Sequence, residues 1–189
     1  MTFPELEQQK RDDRDHKTGA LEDPIKGKPR SAAVVDLLQA LDIHFTGIQT
    51  DHGVHLIFKA PDPEHLARKN KQNWISLINV KMEWKFPESD DHIPLQINGI
   101  ERKIFSDEAD PDTLPFFLFP LQKNRERPFQ MDFPEGNRTN QLGGYIFHLV
   151  QKGFSATDAF QVVNLMNRYI FDQAIPDDLL HSQILNDST

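Results

Sequence analysis

The chain contains no cysteine, which excludes disulfide bonds, a thiolate zinc site and a cysteine nucleophile. It also has no long apolar run, and its mean hydropathy of -0.58 gives no indication of a membrane-spanning segment. The pattern G-x-x-x-x-G-K is missing, so the chain has no phosphate-binding loop of the helicase type. Because the first residues are too polar for a signal peptide, we expect a cytoplasmic protein without a membrane partner.

Acidic residues outnumber basic ones, 29 to 21, and give a formal net charge of -8. This balance disfavours indiscriminate binding to nucleic acid, because phosphates favour basic surfaces. The basic residues nevertheless form two clusters in the sequence. These are Arg68, Lys69, Lys71, Lys81 and Lys85 in the first cluster, and Lys123, Arg125 and Arg127 in the second. Each cluster is either a local groove for a polynucleotide or a solvated charged surface, and both interpretations stay open.

Residues 47–60, GIQTDHGVHLIFKA, predict a β-strand with two unlike faces. The even-numbered residues from 52 to 58 are mainly apolar, and we expect them to face the core. His55 and Lys59 share the other face about 13 Å apart, a reach that suits an elongated anion such as a nucleoside triphosphate. Gly53, on the same face, leaves room for a ligand to approach the backbone. The alternative is a half-buried hairpin strand whose histidine bonds to a neighbouring backbone group.

Residues 74–86, WISLINVKMEWKF, predict a second strand with alternating faces. Lys81, Glu83 and Lys85 share its polar face, where Glu83 is either a functional acid or the ion-pair partner of a neighbouring lysine. Asn98-Gly99 lies between alternating apolar arms, which predicts a hairpin because both turn positions need a positive φ.

Helical spacing of apolar residues predicts an amphipathic helix at residues 31–41, with Ser31 as its cap. Three further helices are predicted after residue 136, with Gly153 ending the first, Ser155 and Asp158 capping the second, and Pro176 starting the third. We therefore predict an α+β protein.

The predicted order begins with a polar, mobile segment at residues 1–30. A small, mainly antiparallel mixed sheet domain with a flanking helix follows at 31–106. The proline-rich and phenylalanine-rich residues 107–135 form a linker, in which the phenylalanines anchor to the core or stack on bases. A small helical bundle at 136–189 completes the chain.

Two sets of residues resemble the primase-polymerase family, nucleotidyltransferases that start DNA strands in viruses, plasmids and archaea. The first set is T-x-x-G-x-H followed by a hydrophobic residue and x-F, at Thr50, Gly53, His55, Leu56 and Phe58. The second set resembles the helical domain that follows the catalytic core in that family. It comprises Gly136, Asn137, Arg138 and Asn140; Lys152, Gly153, Phe154 and Ser155; Asn164, Asn167 and Ile170; and Ile175, Pro176 and Leu179.

The resemblance implies roles for the acids, for His55 and for the helical domain, while strand spacing and charge clustering suggest the roles of the lysines and of Arg68. The D-x-D pair, Asp13 and Asp15, together with Glu83 would hold two Mg²⁺ or Mn²⁺ ions, although the family usually has aspartate at the third position. His55, Lys59 and Lys81 would contact the triphosphate. The DNA contacts would come from Arg68, Lys69, Lys71, Lys85, Asn137 and Arg138. Residues 5–12 lack the alternation of a strand, so an exposed charged N-terminus is the alternative to a metal site at Asp13 and Asp15.

The implied function is that of a phage or prophage replication protein, a DNA primase that joins nucleotides on a single-stranded DNA template. A separate replicative helicase would unwind the DNA. The alternative is a non-catalytic accessory or single-stranded DNA-binding protein that keeps the fold but lacks a complete metal site. Catalysis requires His55 and Glu83 to project from neighbouring strands into one hollow.

Overall fold

The computed structural model describes residues 30–50, 53–61, 71–85, 93, 95–97, 99–123, 133 and 136–185. The chain divides into two compact units. The first unit comprises Met1–Asn70 and Lys85–Pro115, and the second comprises Lys71–Trp84 and Phe116–Thr189. Small antiparallel sheets and C-terminal helices confirm the predicted α+β class. Among the described residues no helix is both long and apolar enough to cross a membrane.

The first unit contains helix α1 and a three-stranded antiparallel sheet with strand order β2-β1-β7. Its elements are α1 Arg30–Ala40, β1 Thr46–Thr50, β2 Gly53–Ile57, β5 Gln96–Ile97, β6 Ile100–Glu101 and β7 Ile104–Ser106. The helix confirms the prediction for residues 31–41, but it begins at Arg30, so Ser31 lies inside it rather than at the cap position. Six side chains of α1 are buried, and with Phe45 and Ile48 they supply the buried apolar residues of this unit.

Residues 47–60 form a hairpin and not the single strand predicted. The register of β1 and β2 runs from Thr46 opposite Ile57 to Thr50 opposite Gly53. Each arm of the hairpin alternates its faces, but the connection of two residues reverses the phase, so that Ile48 and His55 lie opposite each other on one face. The prediction of one strand carried the phase of the first arm into the second. Gly53 has a φ of +147°, a value that glycine adopts readily. All five residues of β2 are only half-buried, so neither of its faces forms the expected core face.

The hairpin at Asn98-Gly99 is confirmed. β5 and β6 pair with Ile97 opposite Ile100, and Gly99 has a φ of +80°. Its apolar side chains remain exposed, with Leu95 at 50% and Ile100 at 73%.

The second unit contains a three-stranded antiparallel sheet of order β4-β3-β8 and the C-terminal helices. The strands are β3 Lys71–Ser76, β4 Lys81–Trp84 and β8 Pro120–Lys123. Residues 74–86 are therefore also a hairpin and not one strand. Asn79 N–H donates to Ser76 O, and Asn79 has a φ of +60°, the pattern of a three-residue loop ending in a left-handed residue.

Residues 107–135 were expected to form a linker without regular structure, and this expectation is wrong for residues 116–123, while residues 124–132, 134 and 135 lie outside the described residues. A 3₁₀ turn spans Phe116–Leu118, and β8 follows it as an edge strand beside β3. Pro120 is the first residue of β8, a position where the missing N–H is tolerated. Phe117 and Leu118 are buried, which agrees with the predicted anchoring of this aromatic cluster to the core.

The helices of the second unit are α2 Arg138–Gln151, α3 Ala156–Leu165 and α4 Asp177–Leu185, with a π-helical turn at Met166–Ile170. The predicted helix ends are confirmed. Gly153 N–H donates to Val150 O and Phe154 N–H donates to Leu149 O, which is a Schellman motif around Gly153 with a φ of +97°. Ser155 caps α3, because its Oγ accepts from Asp158 N–H at 3.0 Å.

The sheet and the helices of the second unit share one core. Leu77 and Ile78, at the tip of the β3–β4 hairpin, are fully buried. Tyr145 of α2 is also fully buried, and its hydroxyl donates to Leu77 O, while burial raises the pKa of this phenol. These contacts explain why β3 and β4 belong to the unit of the helical bundle and not to a continuous sheet domain at residues 31–106.

Candidate functional site

His55 lies in the middle of β2, where its Cα partner on β1 is the buried Ile48. The side chain is half-buried and shares a face of the strand with Gly53. A Cβ built at Gly53 would meet no atom within 4 Å. The position directly above Gly53, two residues from His55, is therefore not filled by another part of the protein.

Lys59, the predicted triphosphate ligand, already contacts an acid of its own unit. Its Nζ lies 2.7 Å from Oδ1 of Asp110. The backbone of Lys59 forms an isolated parallel bridge with Thr113, in which Lys59 N–H donates to Asp112 O. A phosphate that binds Lys59 would have to share or displace the carboxylate of Asp110.

His44 and Asp112 make a second contact of this kind, which the sequence did not reveal. Oδ2 of Asp112 accepts from His44 N–H at 2.7 Å and lies 3.3 Å from Nδ1 of the same residue. The hydrogen bond from the backbone N–H of His44 holds the pKa of Asp112 below its usual range. Acids spaced two residues apart in DEADPD were the available signal, but no local pattern links Asp112 to His44, which lies 68 residues away in the sequence.

Glu83 lies on β4 with its side chain exposed, and Lys81 shares that exposed face. β4 belongs to the sheet of order β4-β3-β8, whereas β2 belongs to the sheet of order β2-β1-β7. The expectation that His55 and Glu83 project from neighbouring strands is therefore wrong. The reason is that each alternating stretch folds back on itself as a hairpin. One hairpin supplies β1 and β2 of the first sheet, and the other supplies β3 and β4 of the second sheet.

The predicted metal ligands are divided between described and undescribed parts of the chain. Asp13 and Asp15 lie outside the described residues. Within the part of the chain that is described, no group of three or more histidine, aspartate or glutamate side chains could hold a metal ion. Glu83 and its described neighbours therefore do not by themselves fit a divalent cation, which needs several oxygen ligands around one point.

The basic cluster predicted to contact DNA is described only in part. Arg68 and Lys69 lie outside the described residues, and Lys71 is placed by its backbone at the start of β3. Lys81 and Lys85 are exposed. Among the described members of the cluster, these two lysines have side chains that are open to solvent.

Arg138 was predicted to hold a phosphate, but its guanidinium contacts three groups of its own unit. Nε donates to Phe133 O at 3.1 Å, and a terminal nitrogen donates to Gln173 O at 2.5 Å. The guanidinium also lies over the ring of Phe171, 4.7 Å from its centroid. Arg138 therefore ties the start of α2 to the segment between the π-helical turn and α4.

Asn137 and Asn167 also serve the fold. Asn137 occupies the N-cap position of α2, although its side chain makes no capping hydrogen bond, and its Oδ1 accepts from Asn140 instead. Asn167 is 2% exposed and bonds twice to the backbone of Ile175, donating to its carbonyl at 2.8 Å and accepting from its N–H at 2.7 Å. The resemblance motif thus includes at least two residues whose polar groups are used inside the bundle.

A small open cleft of about 230 Å³ lies where α3 meets the start of α4, lined by Asn164, Leu165, Arg168 and Asp177. Arg168 and Asp177 approach to 3.7 Å across it and are both about two-thirds exposed. A solvent-exposed pair at this distance interacts weakly. The cleft does not include the predicted catalytic residues His55 and Glu83.

Comparison with protein-family models, with curated proteins and with solved structures found no match to this chain. The function is therefore argued from the geometry of the two units and from the residues that carry the resemblance.

Proposed function

We propose that this chain is a DNA-replication protein of the primase-polymerase type, in which the helical unit follows a nucleotide-binding sheet. The observation that supports the proposal is that residues of the C-terminal motif form the helix ends and the internal hydrogen bonds of the helical unit. Gly153 ends α2, Ser155 caps α3, and Asn167 with Arg138 fixes the segment leading to α4. A glycine at a helix end and a serine cap are common in helical proteins, so the contacts of Arg138 and Asn167 are the part of the motif that supports the proposal.

The proposed activity is nucleotidyl transfer on a single-stranded DNA template. The 3′-hydroxyl of a primer attacks the α-phosphate of a nucleoside triphosphate, a phosphodiester bond forms, and pyrophosphate leaves. His55 and Lys59 would contact the phosphates from the first unit, with His55 beside the open space at Gly53. Asp13 and Asp15, the proposed ligands of Mg²⁺ or Mn²⁺, lie outside the described residues, and Glu83 belongs to the second unit.

A second candidate is a non-catalytic accessory protein that binds single-stranded DNA or a replication partner. Two observations favour it. His55 and Glu83 belong to different sheets, and the ammonium of Lys59 is paired with Asp110. An accessory protein does not need His55 and Glu83 to act together, and it does not need Lys59 to bind a triphosphate.

A primer-synthesis assay with Mg²⁺ or Mn²⁺ on a single-stranded template tests the choice between the two. We expect product from the wild type and loss of product from His55→Ala, and Glu83→Ala tests whether the acid of the second unit is needed for synthesis. Glu101→Ala, which removes another exposed strand acid, is the matched control and should retain activity. Loss of product in a variant counts only if its unfolding midpoint equals that of the wild type.

Product from the double variant of His55 and Glu83 would refute the proposed catalytic roles. If the wild type makes no product but binds a fluorescent oligonucleotide, as measured by anisotropy, the accessory function replaces the catalytic one. If it does neither, both proposals are wrong.

A further inference from the structure

Residues 107–113, DEADPDT, are here called the acidic strap, and their backbone is bonded to the segment around β1 and β2. Asp112 N–H donates to His44 O at 2.9 Å, and Lys59 N–H donates to Asp112 O at 2.9 Å. Leu114 N–H then donates to Lys59 O at 3.0 Å. Because these bonds join backbone groups, the strap is held beside Lys59 whatever the charge of its side chains.

Two carboxylates of the acidic strap meet three donors. Asp110 contacts the ammonium of Lys59 at 2.7 Å. Asp112 accepts from the backbone N–H of His44 at 2.7 Å and lies 3.3 Å from its imidazole. An ammonium, a backbone N–H and an imidazole are also the groups with which proteins bind phosphate oxygens.

We propose that Lys59 and His44 form a binding site for phosphate groups, and that Asp110 and Asp112 occupy this site as intramolecular phosphate mimics. The site takes a ligand with several phosphates, because one carboxylate meets the ammonium and another meets the N–H and imidazole. The inference rests on the proposed function only in that Lys59 is the residue assigned there to the triphosphate. Binding at the site can be measured without catalysis.

The contact between Lys59 and Asp110 is suited to displacement. The side chains are 51% and 84% exposed, and exposed ion pairs of this kind are weak and sensitive to salt. A phosphate therefore displaces the carboxylate of Asp110 from Lys59 at little cost. Removing the charge of Asp110 should tighten phosphate binding by roughly 2- to 5-fold, the range that an exposed ion pair allows.

The test uses the full chain and three probes, namely tripolyphosphate, ATP and a labelled single-stranded oligonucleotide of thymidine. Asp110→Asn keeps the size of the side chain and frees Lys59. Glu108→Gln is the matched control, since it removes the same charge from the acidic strap, while the contacts of Glu108 with Thr46 are made by its backbone. Lys59→Gln removes the ammonium from the site and leaves His44 in place.

We expect Asp110→Asn to bind at least one probe 2- to 5-fold more tightly than Glu108→Gln does. In a Lys59→Gln background the same substitution should change nothing. A gain for ATP and tripolyphosphate alone identifies nucleotide phosphates as the ligand, and a gain for the oligonucleotide alone identifies the DNA backbone.

Equal affinities of Asp110→Asn and Glu108→Gln for every probe, or no binding of any probe, would overturn the inference. A gain in binding without primer synthesis would leave the phosphate site standing while the catalytic proposal fails. Primer synthesis without a gain in binding would leave the catalytic proposal standing while the phosphate site fails.

Discussion

Asn167 offers the sharpest test of how the helical unit is held together. It lies in the π-helical turn, in which Phe171 N–H donates to Met166 O, and its side chain is 2% exposed. Its amide donates to the carbonyl of Ile175 and accepts from the N–H of the same residue, at 2.8 and 2.7 Å. At neutral pH no other side chain of this size offers one donor and one acceptor in that arrangement.

Replacing Asn167 by alanine removes both bonds and leaves two backbone groups of Ile175 without these partners. The net contribution of a hydrogen bond to the free energy of unfolding is about 1 kcal/mol, and a buried polar group left without a partner costs about 1–3 kcal/mol. Because the bonds are only partly buried, we expect a loss of about 2–3 kcal/mol in the free energy of unfolding. For a unit of roughly 60–100 residues this corresponds to a fall in Tm of about 8–24 °C.

Asn167→Asp separates the donor from the acceptor. The carboxylate still accepts from Ile175 N–H, but at neutral pH it places a buried charge opposite the carbonyl, and its destabilisation should equal or exceed that of alanine. Burial and the carbonyl raise the pKa of the new carboxyl in the folded state. The folded state then binds more protons than the unfolded state, so the stability of this variant should recover as the pH falls. Asn167→Ala should show no such recovery.

Urea denaturation followed by tryptophan fluorescence measures the effect in the right unit, because Trp74 and Trp84, the only two tryptophans, both belong to the unit of the helices. Asn164→Ala, three residues earlier and half-buried, is the control and should change stability by less than about 0.5 kcal/mol. A loss of less than about 0.5 kcal/mol for Asn167→Ala, or wild-type stability for Asn167→Asp at neutral pH, would refute this account of the segment.

Three further predictions address other polar contacts. Arg138→Lys keeps the positive charge but loses the planar guanidinium, so the free energy of unfolding should fall by about 1–2 kcal/mol in the same fluorescence assay. Unchanged stability together with weaker DNA binding would show that Arg138 binds phosphate, as predicted from the sequence. Tyr145→Phe removes the donor to Leu77 O and should lower the free energy of unfolding by about 1–2 kcal/mol with an unchanged m-value. The pKa of Asp112 is lowered from its ordinary value of 3.8, so its ionised form stabilises the fold above pH 3.8, and this stabilisation is lost as the pH falls through the lowered pKa. Asp112→Asn should therefore reduce the loss of stability at acid pH, as followed by circular dichroism. An unchanged acid transition would show that His44 does not stabilise the ionised form.

The helical unit could be predicted from sequence because its signals are local. Gly153 adopts the left-handed conformation that ends α2, and Ser155 bonds three residues ahead to cap α3. The apolar residues of α3 at helical spacing are buried as expected. The roles of Arg138 and Asn167 were not predicted, because they bond to backbone groups of Gln173 and Ile175. Every residue has such groups, so the sequence does not indicate which of them will be a partner.

The sheets were harder to predict because each arm of a tight hairpin alternates as a single strand does, and the short turn between the arms is easily missed. Thr50 pairs with Gly53, and Ser76 donates to and accepts from Val80 across its turn. The sequence gives no sign of which strand lies beside which, so two alternating stretches were assigned to one sheet. β8 begins with a proline and follows a proline-rich segment, so the composition argued against a strand. The strand nevertheless forms, because β8 lies at the edge of the sheet and pairs only with β3, and proline is tolerated at the first residue of such a strand.

The division into two units changes what the candidate residues can mean. His55, Lys59, His44 and the acidic strap lie within one unit, so phosphate binding there requires only the fold of that unit. Glu83 lies in the other unit, which also contains Arg138 and Asn167, and any reaction that uses both His55 and Glu83 depends on how the two units are arranged. Phosphate binding and catalysis should therefore respond differently to mutation. A substitution that loosens the helical unit without touching His55, such as Asn167→Ala, should reduce primer synthesis and leave tripolyphosphate affinity unchanged.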